Sequence, residues 1–140
     1  MTITTEIDPK RSANMARIGP RDTVPELAVR RALHRMGYRF RLHRRDLPGK
    51  PDVVLSRLRT IFLIHGCFWH RHPGCRFAYS PKSRTAFWEG KFERNMIRDQ
   101  KVEQQLRDAG WTVHTIWECE TRDPAVLADR LRQMLSGKRP

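Results

Sequence analysis

Cys67, His72, Cys75 and Cys119 are metal-binding residue types, and the first three stand close together as Cys67-x4-His72-x2-Cys75. Three thiolates and one imidazole form the donor set of a closed tetrahedral zinc site. With every position filled by protein, such a zinc is structural: it pins a loop too polar to bury a core of its own. Spacing alone does not choose the histidine, because His70 and His65 lie as close to Cys67. The competing reading is three unligated thiols, against which the tight clustering of Cys and His argues.

A second constellation suits hydrolysis of phosphodiesters. Asp52 follows Pro51 at the start of an apolar run, and a second run ends in Ile64-His65, with His70 just beyond. A hard cation such as Mg²⁺ takes oxygen ligands: a carboxylate, a backbone carbonyl from a neighbouring strand, waters and the phosphate. Asp52 is the candidate carboxylate, although a lone aspartate beside a proline is commonly a turn residue. His70, free if His72 takes the zinc, is a candidate general base, since imidazole titrates near neutral pH. His65 and Glu26 are candidates to hold water or phosphate there, and Glu26 has a second role in capping its own helix. Phe68-Trp69 and Trp88 are aromatics next to these groups, suited to wedging between base steps, a cost that is least at a mismatch. Trp88 equally reads as core.

These groups need elements to carry them. Thr23-Val-Pro-Glu26 has capping-box spacing, and Val29, Leu33 and Met36 follow at helical intervals before Gly37, predicting a helix over 24–36. Strands are expected at 38–43, 52–55 and 60–65, joined by short links as an antiparallel meander. Residues 66–83 suit an irregular metal-bound loop. A long helix over 84–109 carries Trp88, Phe92, Met96, Val102, Leu106 and Ala109 on its expected apolar face. Asp99 falls on the same row, which calls for a buried basic partner. A strand over 111–117, parallel to the third, and a last helix with Leu127, Leu131 and Leu135 complete the chain. Trp111 and Trp117 read as core.

The 140 residues amount to a single domain. Three cysteines, an odd number, argue against a disulfide framework, and the polar start of the chain argues for a cytoplasmic protein. No apolar run reaches the roughly 20 residues of a membrane span. The formal charge of +13 points to a polyanion. The excess is +7 over residues 1–50, +5 over 51–100 and +1 over 101–140, so the grip on a polyanion lies in the first two-thirds. Residues 1–22, with Arg11, Arg17 and Arg21, read as a flexible basic arm, residues 23–136 as the catalytic domain, and 137–140 as a frayed tail. Lys50, in the loop before Asp52, is a further DNA-binding candidate.

The run His65-Gly-Cys-Phe-Trp-His70 closely resembles the very-short-patch-repair (Vsr) DNA mismatch endonucleases. Pro48-Gly-Lys-Pro-Asp52, Trp117-Glu-Cys119, Arg11-Ser-x-Asn-Met15, Arg21-Asp-Thr23 with Glu26, Arg84-Thr-x-Phe-Trp88 and Asn95-x-x-Arg98-Asp99 extend the resemblance over about residues 10–121. It implies a restriction-endonuclease-like α/β domain with a mixed central sheet flanked by helices and a structural zinc site. It also implies an enzyme that nicks the thymine strand of T·G mismatches left by deaminated 5-methylcytosine. Asp52 and the Ile64 carbonyl are then the Mg²⁺ ligands and His70 the general base. His65 and Glu26 become partners of metal-bound water, and Cys67, His72, Cys75 and Cys119 the zinc set. Met15, Phe68, Trp69 and Trp88 would form the intercalating wedge. The implied partner is mismatched double-stranded DNA, with mismatch-repair proteins beside it and the enzyme a monomer in the bacterial cytoplasm, on the nucleoid when bound.

Two departures stand out: Ile64 replaces the Thr usual in the family, and Pro73-Gly74 lengthen the zinc loop. Two rival functions remain open: a zinc-stabilised DNA-binding module without catalysis, and a restriction-type nuclease on matched duplex.

Overall fold

The computed structural model describes residues 23–140. Helix α1 spans Val24–Arg35; the Thr23 hydroxyl caps it by accepting from the Glu26 amide, Pro25 stands in its first turn, and Gly37 (φ +91°) turns the chain beyond it. Strands β1 (Arg41–Leu42), β2 (Val53–Leu55) and β3 (Thr60–His65) form the expected meander, and β4 (Thr112–Trp117) pairs parallel to β3 along its whole length. Between them runs helix α2, Thr85–Asp108, and helix α3, Pro124–Met134, follows β4, its N-terminus capped by the Asp123 carboxylate.

The result is a four-stranded mixed sheet in the order β1-β2-β3-β4 with helices on both faces. Val29 and Leu33 of α1 and Leu127 and Leu131 of α3 pack with Val53, Leu55, Phe62, Ile64 and Ile116 on one face. On the other, Leu106 of α2 and Trp111 pack with Val54, Ile61, Leu63 and Val113. The central strand β3 is therefore buried throughout, which explains its unbroken apolar run.

Two elements differ from expectation. β1 has two residues where six were predicted, because Tyr38 turns inward and donates from its hydroxyl to the Lys138 carbonyl (2.7 Å), while Phe40 packs on His34. Lys138, assigned to the terminal tail, is thereby anchored, and its Nζ also donates to Thr60 Oγ1 at 2.6 Å. On α2, Trp88, Phe92 and Leu106 are buried as predicted, but Met96 is 43% exposed and Ala109 is also exposed. The inward face runs Trp88, Phe92, Asn95, Asp99, Val102, Leu106, so its middle is polar. That middle faces a loop rather than the sheet.

Candidate active site

Asp52 lies at the start of β2, where antiparallel pairing brings it beside the end of β3. One carboxylate oxygen, Oδ2, accepts from the Ile64 amide at 2.8 Å, which leaves Oδ1 for another partner. Burial, with the Glu26 charge adding to it, pushes the Asp52 carboxyl up to about 6, while His70 and Arg30 pull it back. The group is thus short of positive charge and within the field of His70. Ile64 explains its own departure: its side chain is packed in the core while its backbone amide serves Asp52.

Glu26 is 3% exposed, an unusual place for a carboxylate. Its donor atoms and those of His43 and Asp52 all lie within 4.8 Å of one another. His43 is a residue that the sequence reading missed. A signal existed: the pairing Leu42↔Val53 sets His43 opposite Asp52, and the His43 amide donates to the Asp52 carbonyl at 3.4 Å.

His70 leaves the end of β3 by a turn in which its amide donates to the Gly66 carbonyl. Its Nδ1 lies 2.6 Å from Asp99 Oδ2 on α2, so the basic partner expected for Asp99 is a histidine, though the pair is half-buried rather than buried. The carboxylate assigns the ring proton to Nδ1 and leaves the Nε2 lone pair open. The His65 ring stacks on His70 with centroids 4.0 Å apart and planes 7° from parallel. Burial pushes His65 down to about 4, so it is neutral near pH 7 and adds no charge to the pair.

The second cluster is the four-residue Cys/His set. Sγ of Cys119 and of Cys67 lie 3.5 and 3.7 Å from His72 Nδ1, and all four donor atoms fall within 4.8 Å of one another. The structure therefore selects His72 for this set and frees His70 for the other. The loop closes through amides: His72 donates to the Cys67 carbonyl and Cys75 to that of His72, with Gly74 in the left-handed region (φ +70°) absorbing the extra length. The Cys119 amide points at Cys67 Sγ (3.4 Å). Burial pushes the Cys67 thiol up to about 12, so a thiolate there needs a bound cation to compensate it. Trp117, expected in the core, is only partly buried: it stacks on His72 (4.3 Å) and meets His65 edge-on, separating the two clusters.

Phe68, Trp88 and Phe92 form a third, aromatic cluster, with Trp69 and Tyr79 packed against it. Phe68 and Trp88 are themselves buried, Trp69 is partly exposed, and Asn95 holds the Trp69 carbonyl at 3.2 Å. Among the described residues, Trp88 Nε1 and the Tyr79 hydroxyl are buried with no hydrogen-bond partner. Lys50 is exposed at the turn before Asp52; there Gly49 (φ +70°) is obligatory, since a Cβ would lie 2.5 Å from Val102 Cγ1 of α2. Met15, Arg11, Arg17 and Arg21 lie outside the described residues.

Residues 5–76 match the family model described as DNA mismatch endonuclease Vsr. A type II nicking enzyme, V.XorIIP of Xanthomonas oryzae pv. oryzae, is 50% identical over 121 residues, 86% of this chain and 88% of the relative. The chain belongs to the Vsr family. The DNA mismatch endonuclease Vsr of Escherichia coli is 38% identical over 133 residues, 91% of this chain and 85% of its own. The type II nicking enzyme V.NmeAIP of Neisseria meningitidis is 41% identical over 126 residues, covering 90% and 89%. Membership of Vsr makes the chain a nuclease of the hydrolase class. Among the described residues no helix is long and apolar enough to cross a membrane.

Proposed function

We propose that this Vsr-family chain is a Mg²⁺-dependent endonuclease that nicks the thymine strand at T·G mismatches and so starts very short patch repair. The observation that carries the reading is the His70–Asp99 pair, 2.6 Å apart, in the field of Asp52. An imidazole held by a carboxylate at Nδ1 presents Nε2 as a proton acceptor. In hydrolysis, His70 Nε2 takes a proton from water as that water's oxygen bonds to phosphorus. The phosphorus–oxygen bond on the far side breaks, and the leaving alkoxide is protonated by solvent. Glu26 and His65 hold water in the site.

Asp52, held to Ile64 of β3 through the Ile64 amide, fits a magnesium ion: its second oxygen and its raised carboxyl suit a hard cation, for which the Ile64 carbonyl would be the second protein ligand. When bound, that ion offsets phosphate charge and eases deprotonation of water. The Cys67, His72, Cys75 and Cys119 set fits structural zinc. A tetrahedron with Zn–S of about 2.3 Å and Zn–N of about 2.0–2.1 Å has S···N edges of about 3.6 Å, against 3.5 and 3.7 Å here.

The aromatic cluster supports recognition of unstacked DNA. Trp69 is its accessible member, Phe68 and Trp88 stand behind it, and the orphan Trp88 Nε1 and Tyr79 hydroxyl mark a group whose partners change on binding. Met15 from the arm joins the wedge, and Lys50, Arg11, Arg17 and Arg21 contact phosphates. The domain is of the restriction-endonuclease type and acts as a monomer in the bacterial cytoplasm, with mismatch-repair proteins as further partners.

The deciding experiment offers matched and T·G duplexes to one preparation with Mg²⁺, using wild type and Asp52→Ala. Nicking confined to the thymine strand of T·G duplex, and lost in Asp52→Ala with binding retained, is the expected result. Equal cutting of matched duplex would make it a restriction-type nuclease. No Mg²⁺-dependent nicking by wild type would make it a binding module.

A further inference from the structure

We propose that Arg30 and His43 are positioning residues that fix the Glu26 carboxylate in the active site. This role rests on the function proposed above. Arg30 stands one helical turn after Glu26 on α1, and its Nη2 lies 3.0 Å from Glu26 Oε2. The same Nη2 lies 3.0 Å from His43 Nε2, and that nitrogen is 3.5 Å from Glu26 Oε2. The three side chains are 13%, 5% and 17% exposed for Arg30, Glu26 and His43, so the triangle is largely screened from water.

The chemistry of the three groups fixes the direction of their contacts. Burying a carboxylate is offset by a hydrogen-bonded partner of opposite charge, and the Arg30 guanidinium stands at 3.0 Å. A guanidinium has donors and no acceptor, so its contact with His43 requires the Nε2 lone pair. His43 Nε2 is therefore the acceptor in this contact, which leaves Nδ1 as the ring donor. Held by Glu26 on one side and His43 on the other, Nη2 has one direction in which to lie, and it fixes the Glu26 oxygen in turn. His43 is itself set by the site. Its φ of +47° is left-handed for a residue with a Cβ, and its amide donates to the Asp52 carbonyl. The residue that carries the candidate metal ligand thus also sets the histidine that aims Arg30 at Glu26.

The arrangement assigns Arg30 to the protein interior rather than to a DNA phosphate, and it assigns His43 no proton transfer. Neither side chain touches the reacting atoms. Their effect is on turnover and on the use of the divalent cation, since Glu26 holds water there.

The test compares His43→Leu, His43→Gln and Arg30→Leu with wild type in nicking of a T·G duplex. Duplex affinity is measured separately, and melting temperature with and without Mg²⁺. His43→Leu and Arg30→Leu are expected to lower kcat by about 10- to 100-fold and to raise the Mg²⁺ concentration for half-maximal rate, with duplex affinity within about twofold. His43→Gln, whose amide oxygen accepts from Arg30, is expected to recover most of the rate. A purely structural loss would lower melting temperature and would not respond to Mg²⁺ concentration. Wild-type rate in His43→Leu overturns the role, as does loss of duplex affinity in parallel with rate in Arg30→Leu. A folded His43→Gln as slow as His43→Leu does the same. If wild type fails to nick, the function and this role fall together; if it nicks and the variants match it, this role alone falls.

Discussion

His70 Nδ1 and Asp99 Oδ2 are 2.6 Å apart, joining the loop after β3 to the middle of α2. The carboxylate fixes which ring nitrogen carries the proton. Asp99→Asn removes the charge that stabilises an imidazolium and permits the wrong tautomer. In single-turnover nicking with Mg²⁺, the rate is expected to fall by roughly 10²- to 10⁴-fold. Duplex affinity should stay near wild type. A rate within twofold of wild type would show that His70 needs no such partner.

Asp52 carries a cost in the Mg²⁺-free protein. Its carboxyl is raised from the ordinary 3.8 to about 6, chiefly by burial. A carboxyl raised in the folded state contributes stability that is present below the unfolded value and lost as pH climbs through the folded one. With zinc in place and no Mg²⁺ added, the protein is therefore expected to lose stability between about pH 4 and pH 6 from this group. Asp52→Asn, which keeps an acceptor for the Ile64 amide, should be more stable than wild type at pH 8 by on the order of 1–3 kcal/mol. At pH 3.5 the two should match, while nicking is abolished at every pH. Denaturant unfolding at the two pH values measures this directly.

Cys119 joins the end of β4 to the loop that begins at Cys67. Cys119→Ala is expected to drop zinc below one per chain by elemental analysis and to lower stability by several kcal/mol, on the order expected for a structural site. Fully folded wild type without zinc would remove the metal from the account.

Deletion of residues 1–20 removes Lys10, Arg11 and Arg17. Each phosphate neutralised contributes about −0.9 to the slope of log affinity against log salt, so the truncated protein should show a slope flatter by up to about 3. An unchanged slope would take the arm out of DNA contact.

The elements were legible where one physical cause acted alone. α1 had its cap, its proline and its glycine in sequence, and β3 its apolar run. β1 was overread because alternation at 38–43 does not show that Tyr38 is tied to Lys138 across the fold. The α2 stripe was misdrawn at Met96 because apolar periodicity cannot see that Asn95 and Asp99 point inward to satisfy a polar loop. For the site, composition and spacing brought Asp52, His65, His70 and the Cys/His residues together but left the zinc histidine open. Only the fold separates the two histidines: His72 meets the thiols and stacks on Trp117, while His70 stacks on His65 and meets Asp99. His43 and Arg30 were missed because each is an ordinary residue of its own element. Their meaning lies in meeting Glu26.

Successive turns of α2 meet successive residues of the loop: Trp88 and Phe92 lie against Phe68, Asn95 holds the Trp69 carbonyl, and Asp99 holds His70. The helix works as a ruler. It fixes the span between the aromatic cluster and the His70 imidazole, and on the function proposed above that span would set the offset of the cut from the mismatch. One residue inserted between Phe92 and Asp99 would rotate everything after it by about 100°, and Asp99 would no longer meet His70 while the aromatic end stayed in place.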